Sequence, residues 1–153
     1  MKKIQILCGT MLGGTEYVAD MLNDALTNQG LESQVHMEFE QISDLAEPDS
    51  FWLVCTSTHG AGDLPDNIEP LLEYLQARPD LRHIKYDVIG IGDRSYDTFN
   101  QAAQTLDEEL EQCGAVRLSE PLLIDVQEDP LPEEPALNWL TDWYNTHVYQ
   151  DCE

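Results

Sequence analysis

The amino-acid sequence predicts an α/β protein built on a parallel sheet with helices on both faces. Three observations carry that prediction. Five apolar runs with β character alternate with amphipathic helical patterns along the chain, and strict β/α alternation calls for parallel strands joined by crossover helices. The third run, "FWLVCT" (51–56), is almost wholly apolar, as a central strand buried on both faces must be. The first run opens directly into "GTMLGGT" (9–15) and then into a helical pattern, which sets a helix N-terminus at a strand end.

The first strand covers residues 4–8. The helix after it places Val18, Leu22, Ala25 and Leu26 on one face and stops at Asn28-Gln29-Gly30. Gly30 suits the C′ position, where the chain turns left-handed. Val35, Met37 and Phe39 alternate as a second strand, and 51–56 form the third. Ile68, Leu71, Leu72 and Leu75 mark a helix, with Pro70 near its start, where a missing N–H is tolerated. "VIGI" (88–91) is the fourth strand. Phe99, Ala103, Leu106, Leu110 and Cys113 form the next helical face, ended by Gly114. The fifth strand runs over 115–118 and resumes over 122–126, with Pro121 as the break. "QEDPLPEEP" is a loop, and Leu137, Leu140, Tyr144 and Val148 make a final helix. There is no internal repeat and no linker, so residues 1–153 read as one domain.

Charge narrows the function. Seven basic side chains against 30 acidic ones give a net charge of −23. Such a surface repels nucleic acid and anionic membrane and favours a basic protein partner. Cys8, Cys55, Cys113 and Cys152 lie far apart, and His36, His59, His83 and His147 form no ligand pattern. Neither a zinc site nor a four-cysteine iron–sulfur cluster has a basis in that spacing. The apolar run near the start is too short for a signal peptide or a membrane span. Isolated thiols and no export signal point to the cytoplasm.

In a parallel α/β sheet, ligands bind at the carboxyl ends of the strands, near the reversal of strand order. Three unusual loops leave such ends, at 10–15, 57–67 and 92–100. The first nearly has P-loop spacing, but Thr15 stands where that motif requires Lys, and it fails G-x-G-x-x-G as well. Cys8 ends the first strand as a phosphatase nucleophile would, yet Gly14 occupies the position of the required Arg. The acids of a response-regulator receiver are replaced by Gly9-Thr10 and Thr56-Ser57. What remains is backbone N–H groups, the Thr10 and Thr15 hydroxyls and a helix N-terminus, a set suited to one terminal phosphate. The second loop, "STHGAGDLPDN", offers glycines for close backbone approach and the flat ring of His59. Ser57 and His59 lack the G-x-S-x-G elbow of a hydrolase. The third, "GIGDRSYDTFN", places Tyr96 and Phe99 just beyond a strand end. Phe99 also keeps helical spacing with Ala103 and Leu106, whereas Tyr96 falls off that face. Phosphate donors at one strand end and flat groups at two neighbours describe a site for a planar ring carrying a monophosphate. FMN fits best.

The stretches "GTMLGGTEYVAD", "STHGAGDLPDN" and "GIGDRSYDTFN", in that order, resemble the three FMN-binding loops of short-chain flavodoxins and of diflavin-reductase FMN domains. The small MioC-type flavodoxins are the nearest likeness, and it extends over almost the whole chain. The resemblance implies a flavodoxin-like doubly wound sheet of five strands in the order 2-1-3-4-5. It implies that Thr10, Met11, Leu12, Gly13, Gly14 and Thr15 form the phosphate loop, with Leu12 replacing a hydroxyl residue common there. It implies that Ser57, Thr58, His59 and Gly60 line one face of the ring, with His59 in place of the Tyr or Trp of many relatives. Gly92, Asp93, Arg94, Ser95, Tyr96, Phe99 and Asn100 match the loop on the other face, with Tyr96 as the stacking ring. Asp125 falls near an acidic position beside the flavin in some diflavin relatives.

What the resemblance implies about function is an electron carrier rather than a free-standing enzyme, with no catalytic residue and no metal. It would take single electrons from a flavodoxin or ferredoxin reductase and pass them to an acceptor such as biotin synthase. A negative protein also opposes an anionic reduced flavin, lowering its potential. Two other classes stay open on these residues: an NAD(P)H-dependent flavin or quinone reductase on the same fold, and a cofactor-free acidic interaction module.

Overall fold

The computed structural model describes residues 3–148, apart from Leu12, Asp49 and Gly60. The first apolar run becomes β1 (Lys3–Gly9), which pairs in parallel with β2 (Glu32–His36) on one side and β3 (Ser50–Ser57) on the other. Next to β3 lies β4 (Lys85–Gly92). The edge position beyond β4 is shared by β5 (Val116–Arg117) and β6 (Leu122–Asp125), each parallel to it. The strand order is therefore 2-1-3-4-5, the doubly wound order of the flavodoxin-like fold.

Helices α1 (Gly14–Asn28) and α4 (Glu133–Trp143) cover one face, and α2 (Glu69–Gln76) and α3 (Gln101–Gln112) cover the other. Side-chain alternation along β3 divides the interior accordingly. Phe51, Leu53 and Cys55 point to the α1/α4 core, while Trp52 and Val54 point to the α2/α3 core. Both sets are buried, which is why this strand has no polar face. Gly30 (φ +80°) and Gly114 (φ +88°) end α1 and α3 in the left-handed conformation. Leu31 N–H reaches Leu26 C=O at 3.1 Å and Ala115 N–H reaches Leu110 C=O at 3.2 Å, closing both helices as Schellman motifs.

The second strand is shorter than its alternation predicts. Pairing stops at His36, and Met37 and Phe39 lie beyond it. Val35 and Met37 pack on the α1/α4 core, but Phe39 is buried in the α2/α3 core. The chain crosses from one face of the sheet to the other there, so an alternation that continues in sequence does not continue as a strand. Phe99 likewise precedes α3 rather than joining its face. The final helix ends at Trp143 and continues as one wide π turn, Tyr144–Val148.

The break in the fifth strand is held by a buried acid. Asp87 on β4 is fully buried and accepts hydrogen bonds from Ser119 N–H (3.0 Å) and Ser119 Oγ (2.8 Å) between β5 and β6. Trp143 Nε1 on α4 donates to the same carboxylate at 2.8 Å. Burial raises the Asp87 pKa, against the lowering effect of these donors.

Close approach at the end of β1 depends on Gly9. A Cβ there would lie 2.4 Å from Thr56 Oγ1 and 2.8 Å from Ile68 Cγ2. Gly9→Ala is expected to destabilise the protein by about 1–3 kcal/mol, the usual cost of overpacking a filled core. The check is the urea midpoint at constant slope; an unchanged midpoint would show that β1 and β3 part freely.

Candidate functional site

The turn leaving β1 is preset by hydrogen bonds and one glycine conformation. Gly13 (φ +87°) precedes α1 in the left-handed region, which costs other residues roughly 1–2 kcal/mol. Gly13 N–H donates to Thr10 Oγ1 at 3.0 Å. The first helical bond runs from Tyr17 N–H to Gly13 C=O at 3.0 Å. Donors in the first turn of α1 have no acceptor within the helix, and a Cβ on Gly14 would meet no atom of the described residues outside its own turn within 4 Å.

After β3, the chain folds into a tight turn closed by a two-way bond. His59 N–H donates to Asp63 C=O at 2.7 Å, and Asp63 N–H returns to His59 C=O at 2.8 Å. Thr58 Oγ1 accepts Ala102 N–H at 3.1 Å, which ties this loop to the first turn of α3. His59 itself is exposed.

After β4, Asp93 accepts from Ser95 N–H (2.9 Å), Ser95 Oγ (2.6 Å) and Gln127 Nε2 (3.0 Å). These bonds, Ser95 first, lower the Asp93 pKa. Asp125 accepts Arg94 N–H at 3.1 Å and Gln127 N–H at 3.0 Å, while Val126 N–H reaches Gly92 C=O at 2.8 Å. The loops after β4 and β6 are thereby joined. Asn100 (φ +53°) is fully buried, and its Nδ2 donates to Ile124 C=O at 3.4 Å. Its Oδ1 has no hydrogen-bond partner among the described residues. A Cβ on Gly92 would lie 2.7 Å from that oxygen, so the glycine is what admits it.

These loops surround one cleft of about 530 Å³ at the carboxyl ends of the strands. That is ample for a cofactor-sized ligand, for which pockets run about 300–1,000 Å³. Thr10, Met11, Gly14, Thr15, Ser57, Thr58, His59, Gly92, Asp93, Tyr96, Phe99 and Asn100 line it, all of them singled out by the sequence. Met11 and Tyr96 stand at its rim, 40% and 65% exposed. Three anticipated residues stand apart from the lining. Gly13 turns its N–H to Thr10, Ser95 bonds Asp93, and Arg94 faces Asp125 Oδ2 at 3.7 Å and the Phe99 ring at 5.2 Å. Leu12 and Gly60 lie outside the described residues. Asp125 is 5% exposed and acts as the organiser of two loops rather than as cleft wall.

Ile91, Thr98, Val126 and Pro132 also line the cleft, and the sequence reading did not select them. Val126 and Pro132 flank the loop after the fifth strand. The rule that ligands meet strand carboxyl ends, applied to that strand as well as the others, identifies this wall.

The donors fit a ring bearing a monophosphate. Helix N–H groups and threonine hydroxyls open at one end, an unpartnered buried acceptor lies in the wall, and aromatic groups stand at the rim. The described thiols, Cys8, Cys55 and Cys113, are buried and unsuited to nucleophilic chemistry. Burial, with Glu16 and Asp20, pushes Cys8 up to about 12, and burial raises Cys55 and Cys113 as well. Among the described residues no group of His, Cys, Asp or Glu could hold a metal ion, and no helix is long and apolar enough to cross a membrane.

Comparison with known proteins agrees with this geometry. The flavodoxin family pattern matches residues 6–139. The chain is 42% identical over 146 residues to protein MioC of Escherichia coli K12, covering 95% of this chain and 98% of that protein. It is 39% identical over 147 residues to flavodoxin YqcA of the same organism, covering 94% and 97%. A solved flavodoxin from Pseudomonas aeruginosa, carrying one cysteine-to-serine substitution, superimposes with a TM-score of 0.82 at 32% identity, covering 92% of this chain and 95% of that one. Sheet order, cleft and sequence converge: the chain belongs to the flavodoxin family of electron carriers.

Proposed function

We propose that the cleft holds FMN and that residues 1–153 act as a one-electron shuttle between a reductase and an acceptor enzyme. The observation that carries this reading is the neutral anion site at the start of α1, opening into the same cleft as Tyr96 and His59. Bound FMN would supply the redox chemistry by taking up and releasing single electrons. The turn of Thr10, Gly14 and Thr15 would hold its phosphate, Tyr96 and His59 would flank the ring, and Ile91 and Val126 would keep its inner edge dry.

Charge placement supports a basic partner at this pole. Lys3 and Lys85 open β1 and β4, Arg117 pairs beside Tyr86 near the start of β4, and Arg78 and Arg82 lie in the segment leading into β4. Among the described cations, Arg94 alone sits at the carboxyl pole, and Asp125 faces it. Asp63, Asp66, Asp97, Glu128 and Asp129 are exposed around that pole. A basic reductase or acceptor would be steered there at rates that fall with salt. Biotin synthase is the acceptor to test first, on the MioC-type likeness. The free buried thiols of Cys8, Cys55 and Cys113 suit a reducing cytoplasm.

The test is reconstitution with FMN, followed by the visible spectrum and reduction under anaerobic conditions. We expect a yellow protein that NADPH reduces only when a flavodoxin reductase is added. Reduction by NADPH alone would favour a reductase, and failure to bind any flavin would favour an interaction module.

Tyr96 offers a finer check. It is largely exposed, so Tyr96→Ala should leave folding intact. Stacking contributes about 0.5–1.5 kcal/mol beyond burial, so FMN should bind about 2–13-fold more weakly, and the lower reduction potential should rise. Titration of both quantities decides it; no change in either would place Tyr96 off the ring.

A further inference from the structure

One side chain ties the anion turn to two other parts of the molecule without touching the cleft. Asn67, in the short turn before α2, accepts Thr10 N–H through Oδ1 at 2.9 Å. Its Nδ2 donates to Cys8 C=O at 2.8 Å and to Met37 C=O at 3.1 Å. Both amide hydrogens are therefore engaged, and the amide oxygen holds the Thr10 N–H. It can face only this way, because the reverse would set a carbonyl against two carbonyls and an NH₂ against an N–H. Thr10 passes the constraint on, since its Oγ1 accepts Gly13 N–H at 3.0 Å just before α1.

Resting on the FMN reading, we propose that Asn67 is the positioning residue of the phosphate turn and sets the preference for a phosphorylated over an unphosphorylated flavin. The turn has no Lys or Arg, so it attracts an anion only through aligned N–H dipoles and hydroxyls. A freely moving turn would have to be ordered on binding, at the expense of affinity. Asn67 orders it beforehand, anchoring Thr10 to the end of β1 and to the segment after β2. A flavin without phosphate leaves the turn unused and is blind to this anchoring.

The experiment compares FMN and riboflavin affinities in wild type, Asn67→Ala and Asn67→Asp. Asn67→Asp keeps an acceptor for Thr10 N–H but turns a second acceptor on the two carbonyls. Each hydrogen bond is worth about 1 kcal/mol net, or about fivefold, so FMN affinity should fall about fivefold or more in either variant. Riboflavin affinity should stay close to wild type. A purely structural Asn67 would lower the melting temperature while leaving the ratio of the two affinities unchanged, and that outcome overturns the proposal. A wild type that binds both flavins equally overturns it too, and one that binds neither removes the FMN reading along with it. If neither variant folds, amide exchange in flavin-free wild type decides. Slow exchange at Thr10 and Gly13 is expected, and exchange as fast as an open loop overturns the preset turn.

Discussion

Gly14→Val is expected to weaken FMN binding by about 5–150-fold, corresponding to the roughly 1–3 kcal/mol of intruding into a filled site. Riboflavin should lose far less. The selectivity follows from where the new side chain would go. A Cβ at Gly14 meets no atom of the described residues outside its own turn within 4 Å, yet Gly14 lines the cleft at the start of α1. The variant should thus fold normally, its side chain entering the space assigned to the phosphate. Gly13 would be a poorer probe, because its φ of +87° strains any replacement whatever binds nearby. Fluorescence titration with both flavins is the measurement. Equal loss for the two would show that the phosphate binds elsewhere.

Trp143→Ala is expected to remove about 3–5 kcal/mol of stability, as deletions of large buried aromatics do. That is a large part of the 5–15 kcal/mol or so that a domain has. Trp143 is buried edge-on to Phe51 (ring centroids 6.1 Å apart) and stacked on Trp139 (5.7 Å). Its indole N–H also serves Asp87, which keeps the two Ser119 donors when the indole is gone. Trp143→Phe keeps most of the packing and isolates that hydrogen bond. Urea unfolding of both variants separates the two contributions, and a loss below about 1 kcal/mol for Trp143→Ala would mean that the α4 contact is dispensable.

The same carboxylate gives a pH signature. Its folded pKa is raised by burial, so the folded state holds the proton more tightly than the unfolded chain. Its contribution is therefore greatest below the unfolded value of about 3.9 and is lost as pH rises through the folded value. Asp87→Asn cannot titrate. The difference in stability, variant minus wild type, should move in the variant's favour as pH rises through that window. A constant difference would show that Asp87 has the same pKa folded and unfolded.

Several features of this protein are readable from local pattern. The uninterrupted apolar run of β3, the helical faces of α1 and α3 and the glycines that close them each record burial or backbone conformation within a few residues. The same holds for the Gly/Thr turn, since a missing Lys at Thr15 and a missing Arg at Gly14 are local facts. Twelve cleft-lining residues were accessible in this way because three loops carry them in short contiguous stretches.

Other features depend on partners remote in the chain. Met37 and Phe39 continue an alternation that pairing abandons after His36, because the chain crosses the sheet edge there. Arg94 belongs to the third loop in sequence, and its pairing with Asp125, 31 residues away, exists only in the fold. Val126 and Pro132 become cleft wall only when the loop after β6 is laid beside that after β4. Thr10 and Asn67 are 57 residues apart, and nothing in either stretch announces their bond. The sequence by itself determined the alternation of strands and helices, the end of the sheet that carries the site and the neutral character of its anion turn. Tertiary structure alone decided which polar side chains are spent on holding loops together and which remain free to face a ligand. The reason is that hydrogen-bond satisfaction is set by spatial neighbours, and a parallel sheet gathers those neighbours from separate crossover connections.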